Sequence, residues 1–264
     1  MRVAIKIAYD GRAFYGHQRQ PDRRTVEGEC LATLRAAKII RNPKDSFFRS
    51  ASRTDRGVSA VGNVIAFDTS LAPVAVIGAF NDKARDVWAW AIAEVPGTFH
   101  PRHAIGRWYR YFLLEDVLDR SLAEAGAVFV GTHDFRAFSS EPGSGLRRID
   151  RVDVSRDAGM MIIDVHAPSF LRGMVRRIVA AMLASARGDI SLDDLRRALL
   201  GHKRDFGTVA PEPLVLMDVE YDLVFKTVLK PKIRDEWRDA AADLRLRLRF
   251  LDEVDRFAHI KVPV

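Results

Sequence analysis

One carboxylate stands between two guanidinium groups in a stretch of small residues. The run is Arg53-Thr54-Asp55-Arg56-Gly57. An Asp two residues before a Gly is typical of a turn in which the carboxylate accepts backbone N–H groups. The turn needs only Asp55 and Gly57, whereas the arginines favour an ionised carboxylate that could act as a nucleophile or electrostatic stabiliser, and they could grip phosphates. A simple turn and a reactive carboxylate both remain open on these residues alone.

The other residue types that could do chemistry are poorly arranged for it. Cys30 is the single cysteine, which excludes disulfides and multi-cysteine metal sites, and it falls on an apolar helix stripe. None of the seven histidines has a partner at zinc-ligand spacing; His100 and His103 flank a Pro-Arg pair in a predicted loop. Neither a serine-nucleophile elbow nor a phosphate or dinucleotide loop motif is present. We therefore expect no metal and no cofactor.

A glycosidase is one alternative for Asp55, because glycosidases use a pair of carboxylates across the scissile bond. Asp45 and Asp68 are the acidic residues nearest to Asp55 along the sequence. Nothing in the sequence pairs either of them with Asp55, so this alternative lacks its second group.

The overall charge favours a polyanionic partner. The 264 residues carry a formal net charge of +7 with a pI near 9.7, so we expect nucleic acid first and an anionic membrane surface second. The N-terminus has charges within its apolar run and no small-residue cleavage site, and no run of eighteen apolar residues occurs, so we expect neither a signal peptide nor a membrane span. With a single cysteine, a reducing cytosol fits, and a cytoplasmic protein is expected.

Hydrophobic periodicity predicts alternating strands and helices. Val3 to Tyr9 alternates like a half-buried strand, and Thr25 can cap a helix whose first turn is acidic. Further strands are predicted at residues 47–48, 61–67, 87–96, 108–116 and 214–223, a hairpin at 152–167 with its turn at 157–159, and helices at 73–80, 121–129, 170–188 and 191–200. Apolar repeats from about Lys232 to Ala258 predict one long helix, packed on the second half of the chain, although Leu244 to Phe250 also alternates like a strand.

This order of elements predicts an α+β fold. Two mixed α/β halves, residues 1–104 with the Asp55 loop and residues 105–264 with the helical tail, are expected to join through a largely antiparallel sheet with flanking helices.

Five segments, taken in order, resemble one family. "SRTDRGVSA" is similar to the "GRTD-x-GVHA" motif of TruA-type tRNA pseudouridine synthases, in an archaeal-like variant. The other four are "YDGRAFYGHQRQ", "RWYRYFL", "HDFRAFSS" and "SFLRGMVRRIVAAML", and together they span residues 1 to about 225. Departures from the family pattern are Ser52 for the first motif glycine, Ser59 for its histidine, and His17 where an aromatic residue is usual.

The resemblance implies roles for individual residues. Asp55 would be the catalytic nucleophile, Arg53 would help to displace and replace the target base, Tyr109 would stack on the uracil, and Arg176 would pair with the aspartate. Arg176 lies four residues after Arg172, and a helix would place both on one face. Arg56, Gln18 and Arg19 are expected to join Arg53 and Tyr109 in binding the RNA. Without the resemblance, Tyr109 would be an ordinary strand aromatic and Arg176 a solvated charge.

The resemblance also implies the pseudouridine synthase fold and isomerisation of uridine to pseudouridine in the anticodon stem-loop of tRNA, at positions 38, 39 and 40. The family works as a homodimer and needs no cofactor. The alternative is a non-catalytic protein of the same fold that binds structured RNA.

Overall fold

A mixed sheet organises the larger of the two units of the chain. The computed structural model describes residues 1–114, 119–141, 143–228 and 230–259, and the chain divides into the units Met1–Thr227 and Val228–Val264. The strands are β1 (Arg2–Tyr9), β2 (Arg49–Ser50), β3 (Ser59–Asp68), β4 (Val87–Val95), β5 (Gly106–Leu113), β6 (Gly131–Asp134), β7 (Leu146–Ile149), β8 (Arg151–Asp157), β9 (Met160–Ala167), β10 (Leu214–Glu220) and β11 (Lys226–Thr227). The helices are α1 (Val26–Ala36), α2 (Pro73–Asn81), α3 (Asp119–Ala127), α4 (Met174–Ala186), α5 (Leu192–Leu199) and α6 (Pro231–His259).

The main sheet is antiparallel except at its centre. Its order is β11-β4-β1-β3-β10-β5-β9-β8, with β2 beside β3, and β6 and β7 form a separate pair. Within the described residues every neighbouring pair is antiparallel except β3 and β10. The predicted α+β class with a largely antiparallel sheet and flanking helices is confirmed.

The parallel pair is the feature that brings the site together. Leu216 of β10 is opposite Ala60 of β3 on one side and Tyr109 of β5 on the other. Because neighbouring strands lie about 4.8 Å apart, Tyr109 stands two strand spacings, about 10 Å, from the start of β3. The loop that carries Asp55 leads directly into that start.

The predicted boundary at residue 104 falls between β4 and β5, inside the first unit. Strands from both sides of this boundary pair at the centre of the sheet, and β11 returns to the edge of β4. The division into two halves stays a prediction.

Strand β1 is buried on both faces, so the half-buried prediction was wrong. Ala4, on the face expected to meet solvent, is fully buried. Lys6 on the same face is 9% exposed because its ammonium pairs with Asp218 and lies 5.6 Å from the Trp90 ring centroid and 5.1 Å from that of Phe225. A charged residue therefore interrupted the apolar pattern of a central strand without marking a solvent-exposed face.

Most helix and hairpin predictions are confirmed. The Thr25 hydroxyl accepts the Gly28 N–H at the start of α1, and Ser191 opens α5 with a capping box. The turn between β8 and β9 falls at Ala158 and Gly159, both with positive φ. The short strand lies at Arg49–Ser50 rather than at Phe47 and Phe48, since Phe47 has a φ of +44° that a strand does not allow. The predicted strand at 108–116 begins at Gly106 and ends at Leu113; its Glu115 and Asp116 lie outside the described residues.

The second unit contains the predicted long helix. Helix α6 spans Pro231–His259, as the apolar repeat indicated; its packing on the rest of the chain stays a prediction. None of the helices in the described ranges is both long and apolar enough to cross a membrane.

Candidate active site

All seven residues predicted for the site line one cleft in the first unit. The cleft has a volume of about 1010 Å³, and its walls include Gln18, Arg19, Arg53, Asp55, Arg56, Tyr109 and Arg176. They come from the loop after β1, the loop before β3, strand β5 and helix α4. The structure thus brings together residues up to 158 positions apart in sequence; their roles stay predictions at this point.

Two arginines contact Asp55, and neither is its neighbour in sequence. Arg176 Nη1 lies 3.4 Å from Asp55 Oδ2, and Arg172 Nε lies 3.9 Å from Oδ1. Arg53 instead donates to Gln18 Oε1 at 3.1 Å, and the guanidinium carbon of Arg56 lies 4.2 Å from the centroid of the Tyr15 ring. The charge partners of the carboxylate come from a segment more than 110 residues away.

The start of α4 fixes the two contacting arginines differently. Gly173 caps the helix with a φ of +71°, a conformation that favours glycine. Arg176 follows on the first turn and donates Nε to the Val209 carbonyl at 2.8 Å, so its side chain is held and only 18% exposed. Arg172 lies before the helix, in the turn at Gly173, and its side chain is 67% exposed. The prediction that both arginines share a helix face was therefore wrong for Arg172.

A buried hydrogen-bond network fixes the residues that precede Asp55 in its loop. Asn63 on β3 donates Nδ2 to the Ser52 carbonyl at 3.0 Å and accepts the Ser52 N–H at 3.3 Å. Its Nδ2 also donates to the Tyr9 hydroxyl at 3.2 Å, which in turn lies 2.9 Å from Thr54 Oγ1. Burial raises the pKa of the Tyr9 phenol, so this hydroxyl stays neutral. Asp55 is thus displayed by a loop whose preceding residues are fixed on both β1 and β3.

The loop after β1 packs against the same segment. The Gly11 N–H donates to the Ser59 hydroxyl at 3.0 Å, and the His17 N–H donates to the Thr54 carbonyl at 3.0 Å. A Cβ on Gly11 would lie 2.2 Å from the Val58 carbonyl oxygen, so only glycine permits this approach. Ser59, one of the departures from the family pattern, therefore has a structural part in joining two of the quoted motifs.

Tyr109 forms a buried aromatic wall of the cleft. It is 8% exposed, and its ring meets that of Phe170 edge-on at a centroid distance of 5.2 Å. Burial raises the pKa of Tyr109 to about 12, with Arg107 opposing the shift and Asp55 adding to it. The phenol therefore keeps its proton at neutral pH and can offer a ring face to a flat ligand.

Arg107 is a site residue that the sequence arguments did not single out. It is 9% exposed, donates Nε to Ser52 Oγ at 3.1 Å, and binds the carbonyls of Pro168 and Arg102, the latter at 3.0 Å. It stood in the quoted "RWYRYFL" segment, two residues before Tyr109, so the alternation of a strand places it on the same face as Tyr109. Arg102 and Arg177 also line the cleft, and neither was predicted as a site residue. Arg102 lies in a loop, where the sequence gives no periodicity that could indicate its direction.

The cleft is strongly cationic. Of the described residues that line it, eight are arginines and two are carboxylates, Asp55 and Glu141. Low-dielectric walls focus such a potential and attract polyanions. Guanidinium groups can bind phosphate groups in a bidentate manner.

The acids that a glycosidase would need are elsewhere. Asp68 lies at the end of β3 opposite to the Asp55 loop and pairs with Arg2 at 2.8 Å. Asp45 is not among the described residues that line the cleft. The one other carboxylate among the described lining residues, Glu141, lies 3.9 Å from Arg53 Nη2. Across the described ranges, His, Cys, Asp and Glu side chains form no group of three that could hold a metal ion.

Comparison with known proteins identifies the family to which this cleft belongs. The model of the tRNA pseudouridine synthase family matches residues 125–222. The tRNA pseudouridine synthase A of Thermococcus kodakarensis is 44% identical over 227 residues, which cover 84% of this chain and 85% of that protein. Those of Pyrococcus furiosus and Methanothermobacter thermautotrophicus are 43% and 42% identical, each over 230 residues and 85% of this chain, covering 85% and 83% of their own lengths.

A solved complex of Cbf5, Nop10 and Gar1 is far less similar. It has a TM-score of 0.34 and 12% identity over 67% of this chain and 44% of that one, too low a similarity to support an argument. The relatives at more than 40% identity establish the family. The chain belongs to the tRNA pseudouridine synthase A family, whose members are isomerases.

Proposed function

We propose that this chain converts uridine to pseudouridine in the anticodon stem-loop of tRNA, at positions 38, 39 and 40, with Asp55 as the nucleophile. The observation that carries the proposal is the ion pair of Asp55 with Arg176, at 3.4 Å, beside the buried Tyr109. Eight arginines are among the described residues that line the same cleft. A carboxylate held by guanidinium groups is suited to nucleophilic work. The surrounding cationic surface suits a phosphate backbone.

The reaction is an isomerisation within one nucleotide. The N-glycosidic bond between uracil N1 and ribose C1′ breaks, the uracil rotates, and C5 bonds to C1′. The C5 proton leaves and N1 gains a proton, so no oxidant, reductant or energy-rich cofactor is consumed. Asp55 attacks either C1′ or the uracil ring, and both routes use the same ionised carboxylate.

The target base must leave the RNA stack to reach the cleft. Flipping a nucleotide costs a few kcal/mol, and least where the base is already poorly stacked, as in a loop. Tyr109 would receive the uracil by stacking, a contact worth about 1–3 kcal/mol. Arg53, hydrogen-bonded to Gln18 at the mouth of the cleft, would fill the space that the base leaves. Arg176 would hold Asp55 in its attacking position.

The rest of the RNA would be bound mainly by its backbone and shape. Structured RNA is recognised in this way because its deep major groove hides the base edges from side chains. Arg19, Arg53 and Arg56 provide exposed guanidinium groups on one rim. By the same family membership we propose a cytoplasmic homodimer in which one tRNA contacts both subunits.

The substitution Asp55→Asn tests the nucleophile because it keeps the size of the side chain and removes its charge. We expect tritium release from C5-labelled uridine in tRNA to fall by at least about 10⁴-fold, as nucleophile removal does in other enzymes. Affinity for tRNA in a filter-binding assay should stay within about threefold, because spread phosphate contacts supply it. The matched control is Asp45→Asn, an exposed acid outside the cleft, which should change neither quantity.

Three outcomes would contradict parts of the proposal. Substantial tritium release by Asp55→Asn would refute the nucleophile and favour the turn, since Asn serves such turns as well as Asp. Loss of both release and binding would indicate a structural role for Asp55. A wild-type protein that binds tRNA without releasing tritium would be the non-catalytic RNA-binding alternative.

A further inference from the structure

A second pocket opens beside the cleft, and its walls beyond the residues shared with the cleft have no role in the reaction described above. Its volume is about 430 Å³, within the range of about 300–1,000 Å³ typical of small-ligand sites. It shares five lining residues with the cleft, His17, Gln18, Arg19, Arg53 and Arg102. Its remaining walls come from α1 and from the segment between α1 and β3. We refer to it as the side pocket.

The side pocket is cationic, and the carboxylate among its described lining residues is already bound. These lining residues include five basic ones, Arg19, Lys44, Arg49, Arg53 and Arg102, against the acid Glu27. Glu27 Oε2 accepts the backbone N–H of Arg19 at 3.1 Å, so its charge serves to hold the loop after β1. Arg102 and Arg49 also help to lower the pKa of nearby His100, after burial and His103, which agrees with a positive potential here.

Two of the basic side chains are available to a ligand. Lys44 and Arg49 are both exposed, and neither forms an ion pair with a described residue. Arg49 uses Nη1 to bind the Phe48 carbonyl at 2.8 Å, which leaves the other N–H groups of its guanidinium for further partners. The five donors of a guanidinium permit a second partner such as a phosphate.

The other lining residues are apolar or neutral and suit a base. Leu31 and Phe48 are 6% and 7% exposed and form apolar surface, together with Pro43. Asn42 accepts the Lys44 N–H with its Oδ1 at 2.9 Å, which orients the amide of its side chain at the edge of the pocket. Apolar surface, a placed amide and free cations together match a nucleotide, which has a flat base and a phosphate.

We propose that the side pocket binds one nucleotide that flanks the target uridine on the same RNA strand. Lys44 and Arg49 would contact its phosphate, and its base would lie against Leu31 and Phe48. Arg53 and Arg102 line both cavities, so a strand whose target base enters the cleft would have its neighbour at the side pocket. The inference rests on the proposed function, because it assigns a second subsite for the same RNA.

The proposed contact between the flanking phosphate and Lys44 can be tested with RNA in which that phosphate has no charge. A set of stem-loop RNAs is prepared in which each RNA carries one methylphosphonate, at a different position near the target. Each RNA is titrated against the wild type, Lys44→Ala and Lys83→Ala. Lys83 is an exposed lysine outside both cavities and provides the matched control. We expect a neutral phosphate within two nucleotides of the target to weaken wild-type binding about three- to tenfold, as loss of one phosphate contact does.

In Lys44→Ala the same neutral phosphate should cause no further loss, because the partner of that phosphate is already missing. Lys83→Ala should behave as the wild type. Additive losses at every phosphate in Lys44→Ala would overturn the inference. Binding does not require turnover, so an additive result with an active wild type refutes the side pocket alone, whereas a wild type without tritium release refutes the proposed function.

The base and the source of the ligand are tested separately. An abasic residue at the identified nucleotide should weaken wild-type binding by a similar factor; no change would overturn the assignment of the base. Uridine 5′-monophosphate should not displace stem-loop RNA. Displacement from the wild type but not from Lys44→Ala would identify a site for free nucleotides and overturn the assignment to the RNA strand.

Discussion

The two pairs of arginines around Asp55 differ in a way that their sequence positions do not suggest. Arg53 and Arg56 are two residues and one residue away in sequence, yet their closest partners are Gln18 and Tyr15. Arg172 and Arg176 are more than 110 residues away and are the ones that contact the carboxylate. The near pair lies on the wall where RNA would arrive, and the distant pair faces the reacting group. Short separation does not exclude such a pair, because Arg12 pairs with Asp10 two residues away. In this loop Arg53 and Arg56 contact Gln18 and Tyr15 instead, so the charge partners of Asp55 come from another element.

The distant pair is itself unequal. The Arg176 side chain is 18% exposed and is fixed by its bond to the Val209 carbonyl, while Arg172 is 67% exposed and 3.9 Å from the carboxylate. Solvent screens an exposed ion pair and leaves it worth little, about 0–1 kcal/mol. A preorganised, partly buried donor contributes more to a transition state. We therefore expect the four arginines to differ in how much each contributes to turnover.

Arg176→Ala should have the largest effect among the arginines. We expect kcat to fall by about 10²–10³-fold, the loss typical of one preorganised donor, with affinity for tRNA reduced less than tenfold. Arg172→Ala should lower kcat by less than about tenfold, because solvent screens its contact. Arg176→Lys should lie between wild type and Arg176→Ala, since an ammonium keeps the charge and loses the planar fork that binds Val209 and Asp55 together. Single-turnover tritium release measures all three, and equal losses for Arg172→Ala and Arg176→Ala would contradict the ranking.

Arg56→Ala should have a smaller effect, and of a different kind. Its side chain is exposed and stacks on Tyr15, away from the carboxylate. We expect affinity for tRNA to fall about three- to tenfold, and the slope of log K against log salt to fall by about one, as for one lost phosphate contact. The single-turnover rate at saturating enzyme should stay within about twofold. Filter binding between low and physiological salt, with Lys83→Ala as control, measures the slope, and a reduced rate with unchanged affinity would place Arg56 in the chemistry instead.

Local parts of the fold could be predicted because local chemistry determines them. The Thr25 cap, the turn at Ala158 and Gly159 and the start of α5 at Ser191 each depend on a few adjacent residues. The exposure of β1 could not be predicted in the same way. Its buried Lys6 depends on Asp218, which lies 212 residues further along the chain, and no periodicity within β1 reports it.

The candidate site shows the same limit. Composition and the run around Asp55 indicated a charged loop, and the resemblance to a family supplied Tyr109 and Arg176. The meeting of these residues depends on the parallel pairing of β3 with β10, a contact between distant segments. Arg172 was placed on the helix because its spacing from Arg176 fits one, whereas the positive φ of Gly173 starts the helix two residues later. Arg107 shares the strand face of Tyr109, but its burial depends on bonds to Ser52 and Pro168, which lie far away in sequence.

His17 gives little expected effect on turnover and a separate effect on stability. It is 1% exposed and sits on the side of the near pair of arginines, with Nε2 3.0 Å from Ser50 Oγ and Nδ1 buried without a partner among the described residues. Burial, and then the charge of Arg53, lower the pKa of His17 from 6.5 to about 4. The folded protein therefore keeps a neutral imidazole at a pH where the unfolded chain binds a proton.

The sign of the pH dependence follows from that difference. The contribution of His17 to the free energy of unfolding is complete above about pH 6.5 and is lost as the pH falls to about 4, because the unfolded state then binds more protons than the folded state. The loss amounts to about 3 kcal/mol. His17→Phe places an aromatic residue where the family usually has one and removes the titrating group, so its free energy of unfolding should fall less over this range. Urea unfolding at several pH values measures the difference, with the exposed His202→Phe as control. Parallel pH profiles for wild type and His17→Phe would show that His17 does not resist protonation in the fold. Turnover at neutral pH should stay within about threefold, because His17 supports the loop through its backbone N–H to Thr54, which phenylalanine retains.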